Sequence, residues 1–142
     1  MTTYFETSAI VKLLIAEEGS ERADVLWDSA DLLATSELSY VETRAALAAA
    51  NRSGRLTRRA LAEAKDAFEQ RFADVHRVEV TPVVVRSAGN LAEEHSLRGY
   101  DAVHLASALA LEAPHLILVT WEEDLSRAGE RVGFNLAGIT SA

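Results

Sequence analysis

Four acidic residues stand where hydrophobic burial would favour other side chains. Glu6 ends a short apolar segment near the start of the chain, and Glu122 follows the apolar run LILVT. Glu42 lies within the apolar stripe of an Ala-rich segment, and Asp101 begins the apolar segment DAVHLASALALE. Because ligands of open parallel α/β sheets bind beyond the carboxyl ends of the strands, these carboxylates are predicted to converge on one cleft.

Carboxylates packed in one cleft require a positive charge to hold them together. Without such a charge they repel each other and raise each other's pKa. Mg²⁺ and Mn²⁺ are hard cations that take oxygen ligands, and they can activate water and stabilise charge on a phosphate oxygen. A cluster of acids without Cys or His ligands therefore indicates this chemistry rather than a zinc site.

Three of the acids also have a structural interpretation. Asp101 could be the N-cap of its helix, and Glu42 could pair with an arginine such as Arg44. Glu122 and Asp124 could belong to a solvated first helical turn, which the helix dipole favours. The sequence alone leaves these alternatives open.

Glu6 is the hardest of the four acids to explain without a function. Thr7 and Ser8 follow it directly, and either hydroxyl would be a more natural N-cap for the helix predicted there. His104 lies one helical turn after Asp101, on the same predicted face. For this histidine the favoured interpretation is a hydrogen-bonded core residue rather than a site residue.

Strands must deliver these acids to one end of a sheet, and the chain supplies strands in alternation with helices. This order favours a parallel sheet of four to five strands covered by helices on both faces, in a single domain over residues 1–142. The predicted strands are 2–6, 31–36, 76–82, 116–120 and 133–139. The predicted helices are 8–16, 20–30, 37–52, 57–74, 82–95, 101–112 and 122–129.

The composition restricts the classes of partner. A net charge of −8 argues against broad electrostatic capture of nucleic acid. Twelve arginines against two lysines still allow local patches that suit phosphate, and Arg44, Arg86 and Arg98 are the candidates chosen for their proximity to the acids in sequence. The chain has no cysteine and shows no signal-peptide or membrane-span pattern, so we expect a cytoplasmic protein.

Four segments, taken in order, resemble the motifs of PIN-domain proteins, especially the VapC toxins of bacterial toxin–antitoxin pairs. The third and fourth segments together are fairly specific, and the resemblance extends over nearly the whole chain. The segments are YFETSAIVKLLIAEEGSE, SELSYVETRAALAAA, LRGYDAVHLASAL and LILVTWEEDLSRAGERVGFNL.

The resemblance implies a three-layer α/β/α sandwich around a parallel sheet. It also implies an Mg²⁺- or Mn²⁺-dependent endoribonuclease that cuts structured RNA such as tRNA or ribosomal RNA. Such toxins are commonly homodimers and are silenced by a cognate antitoxin. An arginine of the antitoxin could enter the carboxylate cleft, since the chain is acidic overall.

The resemblance also implies roles for single residues. Thr120 would orient a site water or carboxylate, and Thr7 and Ser8 correspond to the hydroxyls that follow the first acid. The catalytic set is Glu6, Glu42, Asp101, Glu122, Asp124 and Thr120, and the metal ligands within it are Glu6, Asp101, Glu122 and Asp124.

The chain departs from the family pattern at two of these acids. The family usually has aspartate where this chain has Glu6, and commonly where it has Glu122. Glutamate is one methylene longer, and Mg²⁺ demands near-ideal octahedral geometry, so activity could be reduced and Asp124 could share the role of Glu122. The alternative function is a catalytically weakened PIN-fold protein that binds RNA or a partner. A phospho-signalling receiver, which also clusters acids at strand ends, lacks support because the chain has no late lysine.

Overall fold

The central element of the fold is a five-stranded, all-parallel sheet. The structure is a computed structural model that describes residues 1–139. The strand order is β3-β2-β1-β4-β5, so β1 and β4 are neighbours in the middle of the sheet. The strands are β1 (Thr2–Phe5), β2 (Leu32–Ser36), β3 (His76–Val78), β4 (Ile117–Thr120) and β5 (Asn135–Gly138).

Seven helices over residues 1–139 connect and cover these strands. They are α1 (Thr7–Leu14), α2 (Ser20–Asp28), α3 (Leu38–Arg52), α4 (Arg58–Ala73), α5 (Pro82–His95), α6 (Gly99–Ala110) and α7 (Glu123–Arg131). None of these helices is long and apolar enough to cross a membrane.

Alternating side chains of the central strands build a separate core on each face of the sheet. Tyr4 and Leu118 pack into the core that α5, α6 and α7 complete. Phe5 and Val119 pack into the opposite core, with α1, α2 and α4. Because successive strand residues point to opposite faces, a strand buried on both sides is apolar throughout. The predicted three-layer α/β/α sandwich is therefore confirmed.

The element boundaries differ from the predicted ones mainly at the ends. The predicted strand 76–82 is shorter, since β3 pairs only with β2 and Pro82 opens α5 behind the N-cap Thr81. The helix predicted at 101–112 lies two residues earlier, and Glu112, with a φ of 47°, lies beyond its end. Thr57 caps α4 as its position in the sequence suggests.

Gly129 in α7 lies so close to side chains of the sheet that a Cβ atom there would force them to move. A Cβ atom there would lie 2.7 Å from Leu118 Cδ2 and 3.3 Å from Leu136 Cδ1. We expect Gly129→Ala to lower the free energy of unfolding by about 1–3 kcal/mol, because overpacking forces the neighbouring side chains to move. Urea denaturation followed by circular dichroism measures this change.

Gly89→Ala is the matched control for this substitution. Gly89 also lies within a helix, α5, but a Cβ atom there would meet nothing within 4 Å. Alanine improves helix propensity at such a site, so we expect stabilisation by about 0.5–1 kcal/mol. Equal effects of the two substitutions would contradict the packing explanation.

Candidate active site

Glu6, Glu42, Asp101 and Glu122 line one cavity of about 490 Å³ at the carboxyl ends of the central strands. Glu6 leaves β1, and its N–H donates to the Val119 carbonyl of the neighbouring β4 at 3.0 Å. Glu122 follows β4, while α3 and α6 supply the other two acids. The adjacency of β1 and β4 thus brings Glu6 and Glu122 to one end of the sheet, where α3 and α6 add Glu42 and Asp101. The other lining residues are Thr7, Ser8, Val11, Lys12, Glu17, Ala45, Ala46, Tyr100, His104 and Trp121.

Glu6 is the N-cap of α1 and is only 3% exposed. Its carboxylate accepts the backbone N–H of Ser8 at 2.7 Å through Oε1 and at 3.1 Å through Oε2. Burial raises the pKa of Glu6 to about 6, and the charge of Glu122 acts in the same direction, against the lowering effect of His104 and Ser8. This carboxylate therefore carries negative charge that its surroundings only partly compensate.

The prediction that Thr7 or Ser8 caps α1 is wrong. The backbone of Glu6 is extended, and its side chain is long enough to fold back onto the helix end. Both hydroxyls are used elsewhere in the cavity wall. Thr7 Oγ1 donates to Glu42 Oε1 at 2.7 Å, and Ser8 Oγ accepts the backbone N–H of Trp121 at 2.8 Å.

Glu42 is held by Thr7 and His104 rather than by an arginine. Its Oε1 accepts from Thr7 Oγ1 at 2.7 Å and lies 2.6 Å from His104 Nε2. Burial alone would raise the pKa of Glu42, but the hydrogen bond and charge of His104 set it below its ordinary value. The interpretation that Arg44 pairs with Glu42 is wrong, since Arg44 contacts Glu69 at 3.4 Å.

Asp101 and Glu122 share one guanidinium. Arg98 Nη2 lies 3.3 Å from Asp101 Oδ2 and 3.3 Å from Glu122 Oε2. The guanidinium also lies over the ring of Tyr100, 4.7 Å from its centroid. Arg98 therefore links two acids that the sequence separates widely.

Asp101 is 2% exposed and lies in the first turn of α6, where the N-cap position belongs to Arg98. The interpretation of Asp101 as that N-cap is therefore wrong. Burial raises the pKa of Asp101 even though Arg98 acts in the opposite direction. A buried acid of this kind at a cavity wall is typical of functional sites.

Thr120 and Asp124 occupy different surroundings. Thr120 is fully buried, and its Oγ1 accepts the backbone N–H of Glu122 at 3.0 Å, so it fixes the turn that leads into α7. Asp124 is exposed on α7 and pairs with Arg127. The structure thus brings Glu122 to the other three acids but leaves Asp124 outside the cavity lining.

Two further side chains of the cavity were not predicted to belong to a site. Lys12 lines the cavity, contacts Glu17 at 3.1 Å and lies over the Trp121 ring, 5.5 Å from its centroid. His104 is 1% exposed and joins Glu42 to the core. The spacing of His104 from Asp101 was the available signal, whereas Lys12 interrupts an apolar helix and carries no comparable signal.

The donor set of the cavity is chemically suited to a hard divalent cation. All four acids offer oxygen ligands, and burial leaves Glu6 and Asp101 with raised pKa values that a nearby cation would lower. Within residues 1–139, however, no three acidic or histidine side chains are close enough together to hold one ion. Arg98 instead supplies positive charge to Asp101 and Glu122.

Comparisons with other proteins agree on one family. A model of the PIN domain matches residues 3–131. The chain is 47% identical over 134 residues to Ribonuclease VapC49 of Mycobacterium tuberculosis (strain ATCC 25618 / H37Rv), and the match covers 94% of this chain and 93% of that protein. It is 35% identical over 131 residues to Ribonuclease VapC35 of the same strain, over 89% of each protein.

Solved structures show the same fold at lower sequence identity. PAE2754 from Pyrobaculum aerophilum superposes with a TM-score of 0.68 at 23% identity, over 90% of this chain and 87% of that one. Mycobacterium tuberculosis VapC20, a toxin that cleaves the sarcin–ricin loop, superposes with a TM-score of 0.67 at 23% identity, over 89% of this chain and 95% of that one. A chain of a toxin–antitoxin complex from Klebsiella pneumoniae superposes with a TM-score of 0.63 at 16% identity, over 87% of this chain and 90% of that one.

Proposed function

The chain belongs to the PIN-domain family and resembles its VapC ribonucleases over most of its length, and we propose that it is a toxin endoribonuclease that cleaves structured RNA with a bound divalent metal ion. The observation that carries the proposal is the single cavity that carboxylates from four separate segments line. A phosphodiester brought to such a cavity would meet the groups that metal-dependent hydrolysis requires.

The partners follow from the relatives. Ribonuclease relatives cover nearly the whole chain, and toxin–antitoxin complexes share its fold, so we propose a cognate antitoxin that silences it. VapC20, which shares the fold, is a toxin that cleaves the sarcin–ricin loop. We propose structured RNA, such as ribosomal RNA or tRNA, as the class of substrate. We expect a homodimer, as is common in the family, and a cytoplasmic location, where these RNAs are found.

The proposed ligands are Glu6, Asp101 and Glu122, with Mg²⁺ or Mn²⁺ as the ion. When bound, the ion would supply a water of lowered pKa and stabilise negative charge on the phosphate. The geometry favours Glu122 over Asp124 as the fourth-motif ligand, because Asp124 is exposed and paired with Arg127. Glu42 completes the negative cluster.

The surrounding residues of the chain have distinct tasks. The Ser8 N–H holds the carboxylate of Glu6, and Thr120 holds the backbone that carries Glu122. Arg98 contacts two of the acids and Lys12 lines the cavity, and we propose that both contact RNA phosphates. Because Arg98 contacts the carboxylates of Asp101 and Glu122, which would also hold the ion, the guanidinium and the ion would compete for these side chains. The expected products carry 5′-phosphate and 3′-hydroxyl ends.

Removal of the metal tests this function directly. We expect purified protein with Mn²⁺ or Mg²⁺ to cleave a tRNA or ribosomal RNA mixture, and excess EDTA to suppress the rate by at least about 100-fold. Restoring Mn²⁺ after EDTA should restore cleavage. The measurement is the initial rate on a denaturing gel, with mapping of the 5′ ends.

Two results of this experiment would contradict the proposal. Cleavage that EDTA leaves unchanged would exclude the metal. RNA binding in a gel-shift assay without cleavage would favour the alternative, a PIN-fold protein that only binds RNA or a partner. The contact of Arg98 with both Asp101 and Glu122 is the observation that favours this alternative, since one guanidinium already offsets part of their negative charge.

A further inference from the structure

A buried chain of hydrogen bonds connects strand β1 to the acidic cavity. Tyr4, which is fully buried in β1, places its hydroxyl 2.8 Å from His104 Nδ1. The opposite nitrogen of the ring, Nε2, lies 2.6 Å from Glu42 Oε1. His104 itself is 1% exposed. One imidazole therefore joins the sheet, helix α6 and helix α3.

The partners of His104 determine which nitrogen carries the proton. A neutral imidazole has one N–H donor and one acceptor nitrogen. An ionised Glu42 can only accept, so the nitrogen that faces it, Nε2, must be the donor. A tyrosine hydroxyl keeps its proton at neutral pH, so Tyr4 can donate to Nδ1. The tautomer protonated at Nε2 satisfies both contacts.

The contact with His104 also selects one oxygen of Glu42. Thr7 and His104 both bind Oε1, at 2.7 and 2.6 Å. Of the contacts among residues 1–139, none engages Oε2, while the side chain of Glu42 lines the cavity and is 23% exposed. The two donors therefore anchor one carboxylate oxygen and leave the other to the cavity.

We propose that His104 is a positioning residue whose Nε2–H, set by the hydroxyl of Tyr4, holds Glu42 with Oε2 presented to the cavity. The part that concerns catalysis rests on the proposed ribonuclease function, while the tautomer and its contacts do not. Residues that orient a functional side chain by a hydrogen bond, without contacting the metal themselves, typically contribute about 10- to 100-fold to metal affinity or activity.

Nuclear magnetic resonance tests the tautomer without any RNA. Long-range ¹H–¹⁵N correlation spectra of metal-free, ¹⁵N-labelled protein should show His104 protonated at Nε2 and unprotonated at Nδ1. Tyr4→Phe should move the Nδ1 signal towards that of a nitrogen without a hydrogen bond. A proton on Nδ1, or an Nδ1 signal that Tyr4→Phe leaves unchanged, would overturn the proposal. This outcome is independent of whether the protein cleaves RNA.

Two amide substitutions test the effect on Glu42. The amide nitrogen of glutamine lies near the position of Nε2, whereas that of asparagine lies near Nδ1 and cannot reach Glu42. We expect His104→Asn to lower kcat by about 10- to 100-fold with little change in KM, and His104→Gln to retain most of kcat. Circular dichroism verifies that both variants fold. Equal losses in the two folded variants would overturn the positioning role.

Discussion

Replacing Asp101 by asparagine is expected to lower RNA cleavage by at least about 100-fold while the protein stays folded. Asp101 is 2% exposed and faces the cavity from the first turn of α6. Asparagine has almost the same shape and can still accept from Arg98, but it removes the negative charge that a divalent cation requires. The measurement is the initial cleavage rate with Mn²⁺, alongside Mn²⁺ affinity by titration calorimetry.

Asp124→Asn provides the matched control for this experiment. It makes the same chemical change at an exposed acid of α7 that lies outside the cavity lining. We expect its cleavage rate to stay close to that of the unaltered protein, since it loses only a surface pair with Arg127. A large loss of cleavage in Asp124→Asn would mean that Asp124 belongs to the metal site. An unchanged cleavage rate in Asp101→Asn would refute the proposed site.

The parallel sheet is predictable from sequence because the patterns that indicate strands and helices lie within short segments of the chain. Each parallel connection needs a crossover, so apolar strand segments that alternate with helical segments favour one architecture. LILVT is apolar on both faces, as a central strand must be, and β4 forms there. The order of the strands is not encoded in this way, because it depends on which helices pack on which face.

Side-chain partners within the site are less predictable than the elements that carry them. Thr7 and Ser8 have the residue types of an N-cap, yet their hydroxyls bind Glu42 and the backbone of Trp121. Those partners come from α3 and from the end of β4, which only the folded chain brings close. Glu6 takes the cap because its side chain is free to fold back onto the Ser8 N–H.

The same limit applies to His104. Its spacing from Asp101 places both residues on one face of α6, and the sequence favoured a satisfied core histidine. His104 is indeed buried and hydrogen-bonded, to Tyr4 and Glu42. Its partners lie in β1 and α3, however, which only the folded chain brings close. The sequence therefore could not show that His104 is both a core residue and a residue of the site.

Glu6→Gln is expected to stabilise the metal-free protein at neutral pH and to abolish cleavage. The pKa of Glu6 is raised by burial from an ordinary value of 4.5 to about 6. Between these values the folded protein binds more protons than the unfolded chain, so the free energy of unfolding falls as the pH rises. Above about pH 7 the ionised group costs about 2 kcal/mol. Glutamine has the same length, carries no charge and still accepts the Ser8 N–H.

The effect should therefore depend on pH in a defined direction. Urea denaturation in EDTA should show Glu6→Gln more stable than the unaltered protein at pH 7.5, by at most about 2 kcal/mol. At pH 4.5 the advantage should largely disappear, since Glu6 is then protonated in the folded state. Glu123→Gln, at an exposed acid of α7, is the control and should show no such gain. A stability difference that does not change with pH would refute the buried charge at Glu6.

Cleavage by Glu6→Gln should fall by at least about 100-fold, because the substitution removes one of the proposed ligands. Added Mn²⁺ should raise the stability of the unaltered protein by mass action but that of Glu6→Gln much less. Opposite effects of one substitution on stability and activity would mean that a carboxylate buried at an energetic cost is retained for its chemistry. A Glu6→Gln variant that is more stable and fully active would show that the metal is bound without Glu6.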